Sequence, residues 1–315
     1  MSIQRKTLRK KKVQKTLIRI GEHWQLYLMM LPALIYLIIF LYKPMYGVIV
    51  AFKNYKFNLG IWGSPWLNPL FKNFTRFFNS YWFPIVLKNT VVISFLSLVF
   101  SFPAPILLAL MVNEIEKGFL KKGFQTISYA PHFISTVVVC GMITMFLSPE
   151  SGVLNQILKK LNLAQVQLLQ NPKAFKWCYV VSGIWQDVGW SAIIYFAALA
   201  GVDKELLEAA QIDGASRFQR IIHINLPVLK PTIVVLLVLS CGSLLSVGYE
   251  KVYLLQNDMN ITGSEVISTY VYKMGLQKSD FSFSTAVGLF NSIVNCIILL
   301  FANSIARRVS EASLW

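Results

Sequence analysis

The chain has 315 residues, of which 55% are hydrophobic and only 14% charged, with a mean hydropathy of +0.55. Ordinary soluble domains carry about a quarter charged residues, so this composition excludes a conventional soluble enzyme or binding domain. The formal net charge of +16 does not indicate a nucleic-acid partner, because Lys and Arg border apolar runs instead of forming one solvated face.

Residues 1–25 contain the basic run "RKTLRKKKVQK" and read as a cytoplasmic tail. The run Leu26–Tyr42 follows, apolar for about the length a helix needs to cross roughly 30 Å of hydrocarbon. It is long for the apolar part of a signal peptide and no small-x-small cleavage site follows it, so it reads as an uncleaved first span. Five more spans are predicted over Ile85–Val112, Ile127–Leu147, Trp177–Ala200, Val228–Val247 and Ala286–Ala306. The expected fold is therefore an all-α polytopic membrane protein with six transmembrane helices. Residues 26–84 supply the first helix and an external loop, 85–306 the core, and 307–315 a short cytoplasmic end. Prolines inside the second and fifth spans are tolerable in lipid, where neighbouring groups re-satisfy the freed carbonyls.

Six spans put both termini on one side, and the basic tail makes that side the cytoplasm. Segment 202–231 is then cytoplasmic, while 43–84, 148–176 and 248–285 face outward. Trp24, Tyr42, Trp82, Trp177 and Tyr249 sit near span ends, where aromatic belts form.

Familiar chemistry is missing from the sequence. No G-x-x-x-x-G-K-[ST] phosphate loop occurs; "GFLKKGFQ" has the glycine spacing but lacks the lysine and hydroxyl. His23, His132 and His223 are scattered, no zinc motif or nucleophile elbow is present, and the four cysteines show no C-x-x-C spacing. The chain is expected to bind no cofactor or metal and to catalyse no reaction.

The polar stretch 203–227 reads as a helical hairpin. Asp203 is placed to cap a first helix, with Glu205 in its first turn where the dipole favours an acid. "ELLEAAQI" is rich in helix formers. Gly214 suits a left-handed C-cap, and Ser216 caps a second helix with Phe218, Ile221, Ile222 and Asn225 on one stripe. Pro227 and Pro231 mark the entry to the fifth span. Such a hairpin fits two settings: the lipid interface, or a protein cleft that the small patch at Ala209 and Ala210 can approach closely.

"EAAQIDGASRFQRIIHINLP" fits the pattern E-A-A-x3-G-x9-I-x-L-P at Glu208, Ala209, Ala210, Gly214, Ile224, Leu226 and Pro227. In this the chain resembles permease subunits of binding-protein-dependent ABC importers. The stretches "PMYGVIVAFKNYKF", "LKNTVVIS", "APHFIS", "VISTYVYKMGL" and "FSTAVGLFNSIVNCIILLFANSIARR" resemble the carbohydrate branch, especially oligosaccharide permeases. The resemblance implies a second permease subunit, a cytoplasmic ATPase dimer where ATP and magnesium act, and an extracytoplasmic solute-binding protein. It implies a bacterial cytoplasmic membrane, and an ATPase-coupling hairpin carried by Glu208, Ala209, Ala210, Asp213, Gly214, Arg217, Phe218, Leu226 and Pro227.

Ionisable groups inside a membrane are costly and mark function by default. Asp187, with Trp185, Gln186 and Trp190 nearby, offers acceptors and aromatic faces suited to a sugar path; the other role open to it is pairing with a basic or amide group on a neighbouring span. Tyr249, Glu250 and Asn291 are further path candidates, and Asn291 and Asn295 equally suit bonding between helices. An ion-coupled secondary transporter working through Asp187 or Glu250 is the alternative class.

Overall fold

The computed structural model describes residues 23–115 and 117–309; most of the basic tail and residues 310–315 lie outside them. Among the described residues the chain is helical, with a lone antiparallel bridge between Lys53 and Trp66. Among the described residues four helices are long and apolar enough to cross a membrane: α1 (Trp24–Phe52), α2 (Trp82–Asn113), α7 (Arg217–Gly242) and α9 (Phe281–Val309). Between them lie α3 (Gly118–Tyr129), α4 (Thr136–Phe146), α5 (Pro172–Leu199) and α6 (Lys204–Ile212); α8 (Tyr249–Leu255) precedes α9.

Three of the long helices meet a proline in the same way. Wide i→i−5 turns at Leu37–Tyr42, Ser97–Ser101 and Ile221–Asn225 each end two residues before Pro44, Pro103 and Pro227. A proline ring presses on the carbonyl four residues back and donates no hydrogen bond. A widened turn relieves that clash and keeps the helix running.

The third expected span differs. Ile127–Tyr129 end α3, Ala130–Phe133 form a tight turn around Pro131, and α4 starts afresh under a Ser135 cap whose Oγ accepts from the Val138 N–H at 3.4 Å. The two pieces meet at a 96° bend. Eleven residues in α4 reach only about 16 Å, so this stretch is a bent helix pair, not one straight spanning helix. The fourth expected span is α5, 28 residues long and so about 42 Å, but Trp185, Gln186, Asp187 and Trp190 leave it less apolar than the others. The fifth begins earlier than Val228, because the second hairpin helix does not stop at Pro227 but runs unbroken as α7. It also stops at Gly242, five residues before Val247. There Asn295 of α9 accepts from the Leu245 N–H at 2.9 Å and donates to Ser246 Oγ at 3.0 Å, holding the unwound backbone.

The core is modest. Ile106, Ala109 and Leu110 of α2 pack on Ala192, Tyr195 and Leu199 of α5 with Val202 and Leu229. A second cluster centres on Phe77, Val86, Ile267 and Phe283. There the segments around residues 51, 73–76 and 280 are tied together by an Arg76–Asp280 pair at 2.6 Å and by Asn73 donating to the Ala51 carbonyl. No residue of Trp24–Tyr36 is buried.

Candidate functional site

The hairpin is built by strictly local rules. Asp203 Oδ1 accepts from the Glu205 N–H at 2.9 Å and starts α6. At the other end Gly214 has φ +81°, and the Gly214 and Ala215 N–H groups donate to the Gln211 and Ala210 carbonyls. This is a Schellman closure, which a residue free to take positive φ makes cheap. Ser216 then opens α7 with a capping box: its Oγ accepts from the Gln219 N–H, and Gln219 accepts from the Ser216 N–H at 2.7 Å. Both helix starts and the turn are thus fixed before any partner is considered. Glu208, Ala209, Asp213, Gly214, Arg217, Phe218, Leu226 and Pro227 are exposed and Ala210 is half-buried, while Leu207, Ile221 and Ile224 pack inward on the α2–α5 core. The expected coupling residues therefore lie on α6, the turn at Gly214 and the first turns of α7, and are largely exposed. Phe218 at 70% and Ile212 at 86% exposure would be costly to leave in water without an occupant.

Two adjoining cavities, of about 710 and 630 Å³, lie between α2, α5 and the segment after α7. Ser97, Ser101, Pro105, Tyr179, Ser191 and Gly248 line both. The larger adds Ser94, Ser240, Ser243 and Trp190; the Ser94 hydroxyl is buried and has no partner. Into the smaller face His132, Gln186, Asp187, Glu250 and Lys251. Hydroxyls beside amide, carboxylate and aromatic groups suit a polyhydroxylated ligand, whose own hydroxyls need both donors and acceptors.

Asp187 has the neighbour foreseen as its second role as well as a cavity position. Its Oδ1 lies within hydrogen-bond distance, 2.9 Å, of His132 Nδ1. The His132 ring stacks on Trp190, with centroids 4.5 Å apart and planes 6° apart. Gln186 is buried and donates to the Ile134 carbonyl at 3.2 Å.

The remaining path candidates are not brought together. Trp185 faces an apolar groove with Val139, Met142 and Trp177, on another side of α5. Tyr249 stacks on Tyr272, centroids 5.2 Å apart, outside both cavities. Asn291 lines neither cavity, and its Oδ1 is buried without a partner.

Residues that sequence reasoning passed over complete the smaller cavity. Lys251 is 9% exposed; its Nζ lies 5.5 Å from the Tyr179 ring centre, and it forms no ion pair among the described residues. Burial pushes its ammonium below the ordinary lysine range. The signal available in the sequence was a lysine set between Tyr249–Glu250 and an apolar run. Among the described residues no three His, Cys, Asp or Glu side chains could hold a metal ion.

Residues 24–311 match the binding-protein-dependent transport system inner membrane component family. The chain belongs to that family. The permease is 43% identical over 294 residues to Protein LplB of Bacillus subtilis (strain 168), covering 93% of this chain and 92% of the relative. It is 42% identical over 307 residues to the polygalacturonan/rhamnogalacturonan transport system permease protein YteP of the same organism, covering 98% and 95%. A bacterial alginate ABC transporter, solved in complex with an alginate pentasaccharide-bound periplasmic protein, contains a chain that superposes with a TM-score of 0.86 at 43% identity, covering 94% of the permease and 98% of that chain. Family membership decides between the two transport classes: the permease is the non-enzymatic membrane subunit of a binding-protein-dependent ABC importer for sugars or oligosaccharides.

Proposed function

We propose that the permease pairs with a second permease subunit over a cytoplasmic ATPase dimer and receives carboxylated oligosaccharides from an extracytoplasmic binding protein. ATP and magnesium act at the ATPase; this chain holds neither. It lies in a bacterial cytoplasmic membrane with both termini inside, and 203–227 is the ATPase dock. The observation that carries the docking reading is the exposed, doubly capped hairpin, its apolar tip formed by Ile212 and Phe218. The cargo class rests on Lys251, a buried side chain lining a cavity, met by an aromatic ring and with no carboxylate within ion-pair distance among the described residues. Asp187, on the same cavity, acts on this side chain only from beyond ion-pair distance; a buried charge is costly without a close counter-charge, and a uronate carboxylate would supply one. The relatives named for polygalacturonan and alginate transport, both acidic polysaccharides, point the same way.

The test is uptake by the full complex in proteoliposomes, comparing a uronate trisaccharide with the same sugar reduced to its neutral form. Lys251→Gln should slow uptake of the acidic sugar by about tenfold or more, roughly the 1.5–3 kcal/mol of a hydrogen bond to a charged group, and leave the neutral sugar little changed. Equal loss for both sugars would assign Lys251 to packing and remove the acidic cargo. Orientation is checked separately, in a background without the native cysteines. Single cysteines at Asn58 and Met259, both exposed, should react with a membrane-impermeant reagent only from outside, and one at Ile212 only from inside. The opposite pattern would invert the topology.

A further inference from the structure

We propose that Glu114 is the joint through which the coupling hairpin moves α2, with Arg220 and Asn225 gripping it from the hairpin side. The proposal rests on the hairpin being the ATPase dock.

Glu114 follows the last residue of α2, where the helix dipole disfavours an acid. Two donors from the hairpin helix offset this. Arg220 Nη2 lies 3.4 Å from Glu114 Oε2, and Asn225 Nδ2 donates to Oε1 at 3.3 Å. The same guanidinium donates through Nη1 to Gln211 Oε1 on α6, at 3.1 Å. One cation therefore ties both hairpin helices to the second span. The side chains of Arg220 and Glu114 are 15% and 18% exposed, and Asn225 is fully buried, so water screens the contact weakly.

The network also has spare capacity. Arg220 Nε and Asn225 Oδ1 are buried without partners, and such groups are uncommon in folded proteins. A spare donor and a spare acceptor beside an ion pair allow a second arrangement of the same side chains, which coupling between distant sites requires.

What the joint would move is visible in the helices. α7 is continuous with the hairpin and reaches the larger cavity at Leu236 and Ser240. Glu114 gives the hairpin a second handle. From Glu114 the helix runs about 20 Å to Ser101 and the wide turn Ser97–Ser101, and Ser97 and Ser101 line both cavities. Leu207, Ile221 and Ile224 pack alongside, against the cluster to which α2 contributes Ile106 and Leu110. A displacement of the hairpin thus reaches two walls of the cavity, one through the backbone and one through Glu114.

The experiment uses the full complex in proteoliposomes with a substrate-loaded binding protein and reads three quantities: ATPase co-purification, ATP hydrolysis, and sugar delivered per ATP. Glu114→Gln should keep the ATPase bound and hydrolysing, and in both Glu114→Gln and Arg220→Gln sugar per ATP should fall about fivefold to a hundredfold, the usual range of coupling between linked sites. The reversed pair, Glu114→Arg with Arg220→Glu, should regain most of the ratio, since Asn225 can turn its spare Oδ1 to a cation at position 114. Where a single variant does not assemble, the reversed pair carries the test alone. Single variants that keep the wild-type ratio, or a reversed pair that rescues neither assembly nor coupling, would overturn the joint. Glu208→Lys separates this from the docking reading: it should strip the ATPase from the complex. If it does not, the dock itself is wrong; if it does while Glu114→Gln couples normally, only the joint is refuted.

Discussion

Gly214→Val should leave the permease inserted in the membrane but cut ATP-driven uptake by at least about tenfold, the factor that roughly 1.4 kcal/mol represents. Space is not the reason, since a Cβ at this position would meet nothing within 4 Å. The backbone is. Gly214 sits at φ +81°, where a β-branched residue is a genuine outlier, and strain of this kind costs about 1–3 kcal/mol. The chain can escape it only by opening the Schellman closure between Ala210 and Ala215, which changes the angle between α6 and α7. The exposed face carrying Glu208, Ala209 and Phe218 would then no longer present one fixed shape to the ATPase. Insertion should survive, because the spans satisfy their own backbone bonds and bury their own apolar faces. A graded series checks the cause: Gly214→Asn should be mildest, Gly214→Ala intermediate and Gly214→Val worst, following tolerance of the left-handed region. Uptake and ATPase co-purification measured together decide it. A wild-type result for valine on both counts would mean that 203–227 is not the coupling element and that a hairpin resting at the lipid interface is the better account.

The hairpin was legible because every feature that shapes it is local. Asp203, Gly214 and Ser216 each act within five residues of themselves, and capping rules operate at that range. The long apolar runs were legible for a similar reason, since span length and hydropathy are sums over neighbours. The bend at residues 130–135 was not read. Pro131 and Ser135 both announce a helix boundary, but the surrounding apolarity over Ile127–Leu147 hides it from a window average. In the cavity, grouping by nearness in sequence misassigned Trp185. Two residues along a helix is a turn of about 200°, so Trp185 and Asp187 face different sides, whereas Trp190, at i+3, shares a face with Asp187. The contacts between Asp187 and His132, 55 residues apart, and between Glu114 and Arg220, 106 apart, leave no trace in periodicity. They exist only once the spans have packed.

That packing hinges on Gly189, and Gly189→Ala is expected to destabilise the permease and abolish uptake together. A Cβ at this position would lie 2.1 Å from the Ser128 carbonyl oxygen and 2.3 Å from its carbon. The obstacle is backbone, so no side-chain rotation clears it, and Ser128 would have to retreat by about 1 Å or more. Overpacking of this kind costs roughly 1–3 kcal/mol. Small residues are what let two helix backbones come this close in a membrane, and here the approach has a consequence at the cavity. Ser128 is in the last turn of α3, and His132 lies four residues beyond it, stacked on Trp190 and bonded to Asp187. The two residues that receive His132 flank Gly189 in the chain. Moving Ser128 off α5 should therefore carry the imidazole away from both and leave Asp187 in the cavity without its partner. Gly141→Ala is the control, since Gly141 is also helical, in α4, but has nothing within 4 Å of its Cβ position. That change should be neutral or mildly stabilising, because alanine is favoured over glycine in a helix by about 1 kcal/mol. The measurements are the thermal unfolding midpoint of the purified complex and the initial rate of uptake, compared across both variants. A Gly189→Ala protein with the midpoint and uptake of wild type would show that α3 does not press on α5 in this way, and that His132 reaches Asp187 by some other support.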